Sequence, residues 1–494
     1  MVGFRMCSRL LGVASTLVLA RLLNTADFGI VAIAFTISAA LDSVSNVGVT
    51  ENLVRHKEIG RDVLDTGFTI QVIKGLICGI LVAAAAPLAS EWYADPRLQN
   101  VLYVLGGAFA LSGFENVGIV QFRRDLRFDR EFQLSSLERV SMFVVTLTAA
   151  LLLRNYWALV IGTAVAKLVR LVATYAMHPH RPRLGLRAWH ELAGFSFWMW
   201  LSSLAYIVWR RADPLVVGAA VSKADLGVFV VALDIALLPT TEILDALNAV
   251  LFAQFSAERN EGGDPRKNAF RLALTLVAIM APIALILSAA STDVVGVLLG
   301  PKWSAASPIV AVLTFSSMLS PFSLTASIVL TSMGKLKSNF AVVSLASIAK
   351  LVVLSIAART GSLQVIAIAA LTITSIESSL FIFMIRRHGS RASGVLGPVC
   401  RLAVSLLSSA GAMYLSGIAW SGDIVLPVAE CLGRGIALGM VGGGTYAAVL
   451  LGLWFAAGRP DGPEQQIVKV GLPILIRLWH RTTGLLGRKR ADVV

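Results

Sequence analysis

The chain has 494 residues, of which 56% are hydrophobic and only 15% charged, and it carries a formal net charge of +14. Because soluble domains are about one quarter charged, this composition excludes an ordinary soluble protein and indicates a chain that faces lipid. The positive charge lies between apolar runs, without the basic-aromatic platforms or helix-turn-helix pattern of nucleic-acid-binding proteins. We therefore expect no nucleic-acid partner.

Fourteen apolar runs follow one another, each long enough to cross the ~30 Å hydrocarbon core as a helix. In chain order they are residues 3–23, 28–50, 65–88, 98–120, 133–153, 156–177, 193–220, 226–250, 270–290, 305–332, 338–358, 362–385, 397–420 and 432–457, here called spans 1 to 14. The first run lacks a clear cleavage signal and is taken as a retained span. The predicted fold is an all-α integral membrane protein with about 14 transmembrane helices.

The connections between spans alternate between rich and poor in lysine and arginine. The even-numbered ones carry Arg55, Lys57, Arg61, Arg123, Arg124, Arg127, Arg130, Arg181, Arg183, Arg187, Arg259, Arg266, Lys267, Arg271, Lys335, Lys337, Arg386, Arg387 and Arg391. The odd-numbered ones carry mainly Arg97, Arg154, Lys223, Lys302 and Arg359. Because cytoplasmic loops hold the excess of basic residues, the even connections and both termini are predicted to be cytoplasmic.

The end of the chain is polar and then basic and amphipathic over 467–490. In a helix there, Leu472, Leu475, Trp479 and Leu486 would share one face. We expect this segment to lie on the inner leaflet, held by anionic membrane lipids. A disordered cytoplasmic tail is the alternative.

An internal repeat links the two halves of the chain. Residues 26–35, Ala-Asp-Phe-Gly-Ile-Val-Ala-Ile-Ala-Phe, resemble residues 224–233, Ala-Asp-Leu-Gly-Val-Phe-Val-Val-Ala-Leu, so spans 1 and 2 correspond to spans 7 and 8. We interpret this as two parallel six-helix lobes with a cavity between them; chance similarity of apolar segments is the alternative. In each copy, the aspartate is predicted to cap the helix and the glycine to ease its tight start.

The repeat divides the chain into four predicted parts. They are an N-terminal six-helix lobe (1–190), a C-terminal six-helix lobe (191–390), two additional transmembrane helices (391–457) and a basic cytoplasmic tail (458–494).

Three motifs carry a family resemblance. Residues 19–29 (LARLLNTADFG), residues 64–69 (LDTGFT) and residues 123–128 (RRDLRF) resemble the bacterial polysaccharide transporter, or Wzx-like flippase, family. Together with spans 7 and 8, the resemblance covers most of the first 260 residues, and the remainder agrees in the number of spans. It implies the multidrug/oligosaccharidyl-lipid/polysaccharide exporter superfamily and a MATE/MurJ-like fold.

The resemblance also implies a function. It points to a transporter, not an enzyme, that flips polyprenyl-diphosphate-linked oligosaccharide repeat units across the bacterial cytoplasmic (inner) membrane for exopolysaccharide or lipopolysaccharide biosynthesis. A polysaccharide polymerase and a chain-length regulator would be partners, and a rhizobial pathway of the succinoglycan type is the one we expect. The alternatives are a cation-coupled multidrug exporter on the same fold and a membrane glycan polymerase. Short outer loops without a Walker motif or paired loop carboxylates argue against the polymerase.

Basic residues inside the spans are the predicted substrate contacts, because a diphosphate needs cationic groups at membrane depth. Span 7 offers Arg210 and Arg211, and we expect its helix to continue through 215–220 and to kink at Pro214, since a helix ending at Trp209 would be too short to cross. An arginine pair that snorkels to the interface is the alternative. The other predicted contacts are Lys74, Lys167, Arg170, Lys350 and Arg9.

Six acidic residues inside the spans are candidates as well, which equals the number of these basic residues when Arg9 is left out. They are Asp42, Asp213, Asp234, Glu242, Asp245 and Glu377. They are predicted either to bind a coupling cation, H⁺ or Na⁺, or to neutralise the basic residues. The interior is therefore not plainly cationic. The four cysteines show no metal-ligand spacing, and neither a metal site nor a cofactor is predicted.

Overall fold

The structure is a computed structural model that describes residues 15, 17–44, 60–125, 127–189, 197–387, 396–420, 427–460 and 462–469. Within these ranges the chain is built from helices, and no strand occurs among them. Arg9 and the part of the predicted amphipathic tail beyond residue 469 lie outside the described residues.

The helices of the described chain are numbered here in chain order. They are α1 (Thr25–Val44), α2 (Arg61–Trp92), α3 (Arg97–Ser112), α4 (Val120–Arg124), α5 (Phe128–Leu153), α6 (Trp157–Met177), α7 (Phe197–Ala220), α8 (Lys223–Asn260), α9 (Pro265–Ala289), α10 (Ser291–Leu298), α11 (Ser307–Ser332), α12 (Leu336–Ala358), α13 (Leu363–Arg387), α14 (Leu396–Leu415) and α15 (Val428–Ala456). Two 3₁₀ segments, Val117–Ile119 and Pro301–Ala306, join α3 to α4 and α10 to α11.

Ten stretches of the described chain are long and apolar enough to cross a membrane, which confirms the all-α, multi-pass membrane fold. They match spans 2, 3, 5, 6 and 9 to 14. Span 7 forms the 24-residue helix α7, which continues past Arg210 to Ala220 with Pro214 inside it, as predicted. The exact count of fourteen stays a prediction.

Span 4 differs from the predicted continuous helix. Helix α3 ends at Ser112, and the chain resumes with the 3₁₀ turn Val117–Ile119. The side chain of Asn116 accepts a hydrogen bond from the amide of Gly118 (3.0 Å) and so caps the new start. The break leaves residues 113–116 outside regular helix.

The described chain forms two compact units. The first comprises Met1–Ile235, Leu298–Ile309 and Lys335–Ile373, and the second Ala236–Val297, Val310–Gly334 and Thr374–Val494. The first unit draws on both halves of the sequence. The predicted lobe boundaries are untested by this division and stay predictions.

Glycines let α2 and α3 pack closely in the first unit. A Cβ on Gly75 would lie 2.6 Å from the Cα of Gly113, and one on Gly79 would lie 2.8 Å from the carbonyl oxygen of Gly106. Small residues four apart are typical of membrane helices whose backbones touch.

The two copies of the repeat motif contact each other in the first unit. A Cβ on Gly29 would overlap the carbonyl oxygen of Lys223, and a Cβ on Gly227 would overlap that of Thr25. Each glycine is the fifth residue of its helix, α1 or α8, so equivalent positions meet reciprocally. This contact supports the interpretation of an internal repeat and gives the glycines a role other than the predicted one: they permit close approach.

Of the two motif aspartates, only Asp27 accepts a backbone amide at its helix start, as expected; at α8 the hydroxyl of Ser222 accepts the amide instead. The carboxylate of Asp27 accepts a hydrogen bond from the amide of Asn24 (3.0 Å), just before α1. At α8, the hydroxyl of Ser222 donates to Asp225 (2.7 Å) and accepts from the amide of Asp225 (3.1 Å). Both are variants of a capping box.

The 3₁₀ segment before α11 belongs to the first unit because it caps the short helical stretch 17–22. The Trp303 indole donates to the carbonyl oxygen of Ala20 (2.9 Å), and the Lys302 ammonium donates to that of Leu23 (2.5 Å). The Trp303 side chain is fully buried. These bonds satisfy carbonyls that a helix end leaves open.

In the second unit, α9, α14 and α15 pack around Leu274, Leu402 and Tyr446. Residues 463–469, the described start of the tail, are helical and anchored to this bundle. The buried Glu464 accepts a hydrogen bond from Arg401 (2.7 Å). The start of the tail is therefore attached to α14 through Arg401.

We expect Gly29→Ala to destabilise the protein by about 1–3 kcal/mol, because the added methyl group has no room beside Lys223. The measurement is the thermal unfolding midpoint of the purified protein in detergent. Gly107→Ala is the matched control, since a Cβ there meets nothing within 4 Å. Equal midpoints for the two variants would contradict the close contact.

Candidate functional site

A cavity of about 390 Å³ lies inside the first unit. Its walls come from the end of α1, the middle of α2, the break after α3, the start of α5 and the second half of α6. The ends of α1 and α6 and the start of α5 border even-numbered connections. The cavity is thus displaced toward the end of the unit that is predicted to be cytoplasmic.

Seven charged residues line the cavity. They are Asp42, Lys74, Glu115, Glu131, Glu138, Lys167 and Arg170. Three of the predicted substrate contacts, Lys74, Lys167 and Arg170, are therefore brought together, along with the predicted acidic residue Asp42. Three cations stand against four carboxylates, so the cavity is not a positively charged funnel.

Each of these cations is paired. Lys74 lies 3.2 Å from Asp42, and Lys167 lies 3.5 Å from Glu138. Arg170 bridges two carboxylates, at 2.9 Å from Glu115 and 2.8 Å from Glu138. Partly buried charges are stable only when paired in this way, because removing them from water is costly.

The break in span 4 places Glu115 in the cavity. The amide of Asn116 donates to the Thr174 hydroxyl (3.1 Å), and the Asn116 side chain is fully buried. Gln71 donates to the carbonyl oxygens of Ser112 and Glu115, both at 3.4 Å. Neighbouring helices thus hold the non-helical backbone, as they must at membrane depth.

The predicted contacts of α7 and α12 lie elsewhere in the first unit. The Lys350 ammonium donates to Asp213 (2.5 Å) and to the carbonyl oxygen of Trp209 (3.0 Å), and it lies 4.6 Å from the Trp209 ring centroid. Lys350 and Asp213 are both buried. This pair joins α12 to α7 and does not line the cavity.

Of the remaining predicted residues, those whose side chains the structure describes do not line the cavity. Arg210 is exposed, Arg211 is half-buried and Asp234 is exposed. Glu377, in the second unit, is buried and accepts a hydrogen bond from Ser323 (3.3 Å). The side chains of Glu242 and Asp245 lie outside what the structure describes. Whether any of these residues contacts substrate stays a prediction.

Sequence reasoning missed Glu115, Glu131 and Glu138 in the cavity. Glu115 and Glu138 lie inside spans 4 and 5, so the rule that marks ionisable residues in spans as functional candidates applied to them as well. Glu131 lies just before span 5, where no membrane signal marks it. Within the described residues, no group of His, Cys, Asp or Glu side chains is arranged to hold a metal ion.

A second element borders the cavity: residues 178–189 after α6, here called the strap, which have no regular structure until a turn at residues 187–188. The LDTGFT motif at the start of α2 holds its backbone. The amide of Arg183 donates to Asp65 (3.0 Å), that of Gly185 to Thr69 (2.8 Å), and that of Ala188 to Thr66 (3.1 Å). The motif thus serves as a clamp for the strap.

The strap is also joined to the cavity wall. The Asn116 amide group donates to the carbonyl oxygen of His180 (2.7 Å), whose Nε2 lies 3.3 Å from Asp65. His178 lies 3.1 Å from Gln121. Burial lowers the pKa of His178 below its ordinary value, and the neighbouring His180 and Arg181 act in the same direction. His178 is therefore held neutral at physiological pH.

Comparison with known proteins finds a matching family and several similar proteins. A family described as "Polysaccharide biosynthesis protein" matches residues 18–308. "Lipopolysaccharide biosynthesis protein WzxC" of Escherichia coli (strain K12) is 23% identical over 317 residues, 63% of this chain and 64% of that protein. "Succinoglycan biosynthesis transport protein ExoT" of Rhizobium meliloti (strain 1021) is 27% identical over 311 residues, 62% of this chain and 63% of that protein. The matched region thus spans less than two thirds of either relative.

Solved structures supply the fold. The lipid II flippase MurJ in an inward closed conformation aligns with a TM-score of 0.73 at 12% identity, over 91% of this chain and 98% of that one. An inward-facing multidrug resistance MATE family transporter aligns with a TM-score of 0.59 at 15% identity, over 77% of this chain and 94% of that one. The predicted MATE/MurJ-like fold is confirmed.

We expect Arg170→Gln to destabilise the protein by roughly 3 kcal/mol, because it leaves Glu115 and Glu138 as partly buried charges without their shared partner. The double variant that adds Glu115→Gln should regain part of that loss, because Glu138 keeps Lys167 as its partner (3.5 Å). Thermal unfolding in detergent measures both. Arg130→Gln, which removes an exposed 3.9 Å pair with Asp129 and an exposed 3.5 Å hydrogen bond to Gln133, is the control and should change little. An Arg170→Gln protein as stable as this control would refute the bridge.

Proposed function

Because the chain belongs to the polysaccharide biosynthesis protein family, we propose that it flips polyprenyl-diphosphate-linked oligosaccharide repeat units across a bacterial cytoplasmic membrane. The observation that carries the proposal is the charged cavity within a multi-pass helical unit, lined by Lys74, Lys167 and Arg170 with their carboxylates. The hydroxyl groups of a sugar find no hydrogen-bond partners in the hydrocarbon layer. A sugar therefore needs a hydrophilic protein interior to cross it. The names of the two relatives refer to polysaccharide biosynthesis and transport, and they support the same function.

The chemistry of the cavity suits a glycan. Besides the paired charges, its walls hold the side chains of Gln71, Asn116 and Ser135, and the rings of Phe109 and Phe122. Carboxylates, amides and hydroxyls donate to or accept from sugar hydroxyls, and aromatic faces pack on sugar rings. A multidrug exporter on the same fold has less need of so many polar groups, since drug-sized ligands are bound mainly by apolar walls.

The further parts of the proposal follow from the sequence. We propose that both termini lie in the cytoplasm, which the distribution of lysine and arginine supports. A polysaccharide polymerase and a chain-length regulator would receive the flipped unit. The buried carboxylates, including Glu377, are the candidate sites for a coupling H⁺ or Na⁺. No bond of the substrate is made or broken in this proposal.

Deletion of the gene should make a lipid-linked oligosaccharide accumulate on the inner leaflet and abolish surface polysaccharide, because the unit cannot cross. Extraction and mass spectrometry of lipid-linked intermediates, combined with spheroplast labelling of the outer leaflet, measure this. A strain with normal polysaccharide but raised drug sensitivity would replace the proposal with multidrug export.

Complementation of that strain separates the two candidate sites. The Lys74→Ala/Lys167→Ala variant should lose most surface polymer, at least about tenfold, if the cavity binds substrate. The Arg210→Ala/Arg211→Ala variant tests the predicted contacts of α7 in the same assay. Membrane insertion, followed by immunoblot of membrane fractions, is the control for both. Full polymer output from either double variant would remove that pair from the site.

A further inference from the structure

The strap exposes side chains of two kinds. Since its amides at 183, 185 and 188 are bound to the LDTGFT motif, the backbone is fixed and the side chains between them face outward. Leu184 is 73% exposed, and the side chain of Arg187 is 85% exposed. Ala188 turns inward instead and packs with Val117 in the core beside the cavity, and His178 at the start of the strap is buried as well.

Apolar and cationic groups alternate along this exposed edge. Leu186 and Trp189 are about half exposed, and Arg181 and Arg183 are exposed beside them. Alternating leucine, tryptophan and arginine is the composition of a segment at the boundary between acyl chains and phosphate groups. The strap follows α6, on the side predicted to be cytoplasmic, so that boundary is the inner leaflet.

The charge of the strap differs from that of the cavity. In the cavity, Lys74, Lys167 and Arg170 each lie against carboxylates, and cations do not outnumber anions. The three arginines of the strap, Arg181, Arg183 and Arg187, have fewer carboxylates beside them. Asp65 accepts a hydrogen bond from the strap backbone, and Asp62 lies 3.9 Å from Arg187. The surplus positive charge of this region is therefore on the strap, and that is where a diphosphate would be favoured.

The strap lies directly beside the cavity. Asn116 lines the cavity and donates to the carbonyl oxygen of His180, so one residue touches both elements. A lipid with its phosphates on the strap would keep its prenyl chain beside Leu184 and Leu186, in the membrane. Its first sugars would then reach the cavity.

We propose that the strap is the docking surface for the diphosphate of a polyprenyl-linked substrate at the inner leaflet, with Arg183 and Arg187 as its phosphate contacts. This inference rests on the proposed function and adds a division of roles to it: the strap binds the phosphates and the cavity binds the glycan. Asp65, Thr66 and Thr69 are positioning residues, because they hold the arginines in place without touching the ligand.

The test measures binding of undecaprenyl diphosphate to the purified full-length protein in lipid nanodiscs, by competition with a fluorescent polyprenyl diphosphate. Arg183→Gln/Arg187→Gln should weaken binding by roughly tenfold or more, as the loss of bidentate phosphate contacts implies. Arg271→Gln/Arg359→Gln, which removes the same charge from two exposed positions outside the strap and the cavity, should bind like the wild type. Phosphatidylglycerol in the nanodisc is the second ligand, and its association should respond equally little to both double variants.

Three results would overturn the inference. Unchanged diphosphate affinity in the strap variant would show that the phosphates bind elsewhere. Equal losses for undecaprenyl diphosphate and phosphatidylglycerol would make the strap a general anchor for anionic lipid. A wild-type protein that binds no undecaprenyl diphosphate would refute the proposed function as well, which distinguishes that failure from a failure of the strap alone.

Discussion

Backbone groups at membrane depth have no water to bind, and the break after α3 shows how this constraint organises its surroundings. The carbonyl oxygens that the missing helix leaves open at Ser112 and Glu115 accept hydrogen bonds from Gln71, and that of Phe114 accepts one from Tyr175 (3.0 Å). Asn116 then joins the break to the strap. The irregular segment is therefore held by α2 and α6, and it forms part of the cavity wall.

The same cost of desolvation shapes the charges around the cavity. A lysine or arginine there needs a carboxylate as its partner. Glu138 of α5 is shared by Lys167 and Arg170 of α6, and these two ion pairs fix the spacing between α5 and α6. The paired cations and carboxylates of the cavity can form hydrogen bonds to a ligand in place of those to each other, so that no charged group loses its partner. That property fits a binding site for neutral, hydroxyl-rich groups better than one for a strong anion.

The sequence predicted the features that depend on composition and length. The continuation of α7 beyond Arg210 followed from the thickness of a membrane, and the repeat followed from two ten-residue segments that each begin with Ala-Asp-x-Gly. The break in span 4 could not be predicted this way, because residues 113–116 interrupt the helix through contacts with Gln71 and Thr174, which lie far away in sequence. Glu115 was missed although it lies inside span 4, and the LDTGFT motif was recognised without its function as a clamp.

The reciprocal contact of Gly29 and Gly227 has a further consequence for how the two halves of the chain can change. It is an isologous interface, like that of a symmetric dimer, encoded in a single polypeptide. Most tight contacts can absorb a larger residue if the opposite one becomes smaller. Here neither side has a side chain to give up, so no exchange at the other position can restore the fit. After a duplication, the close approach therefore requires that glycine be kept at this position in both copies.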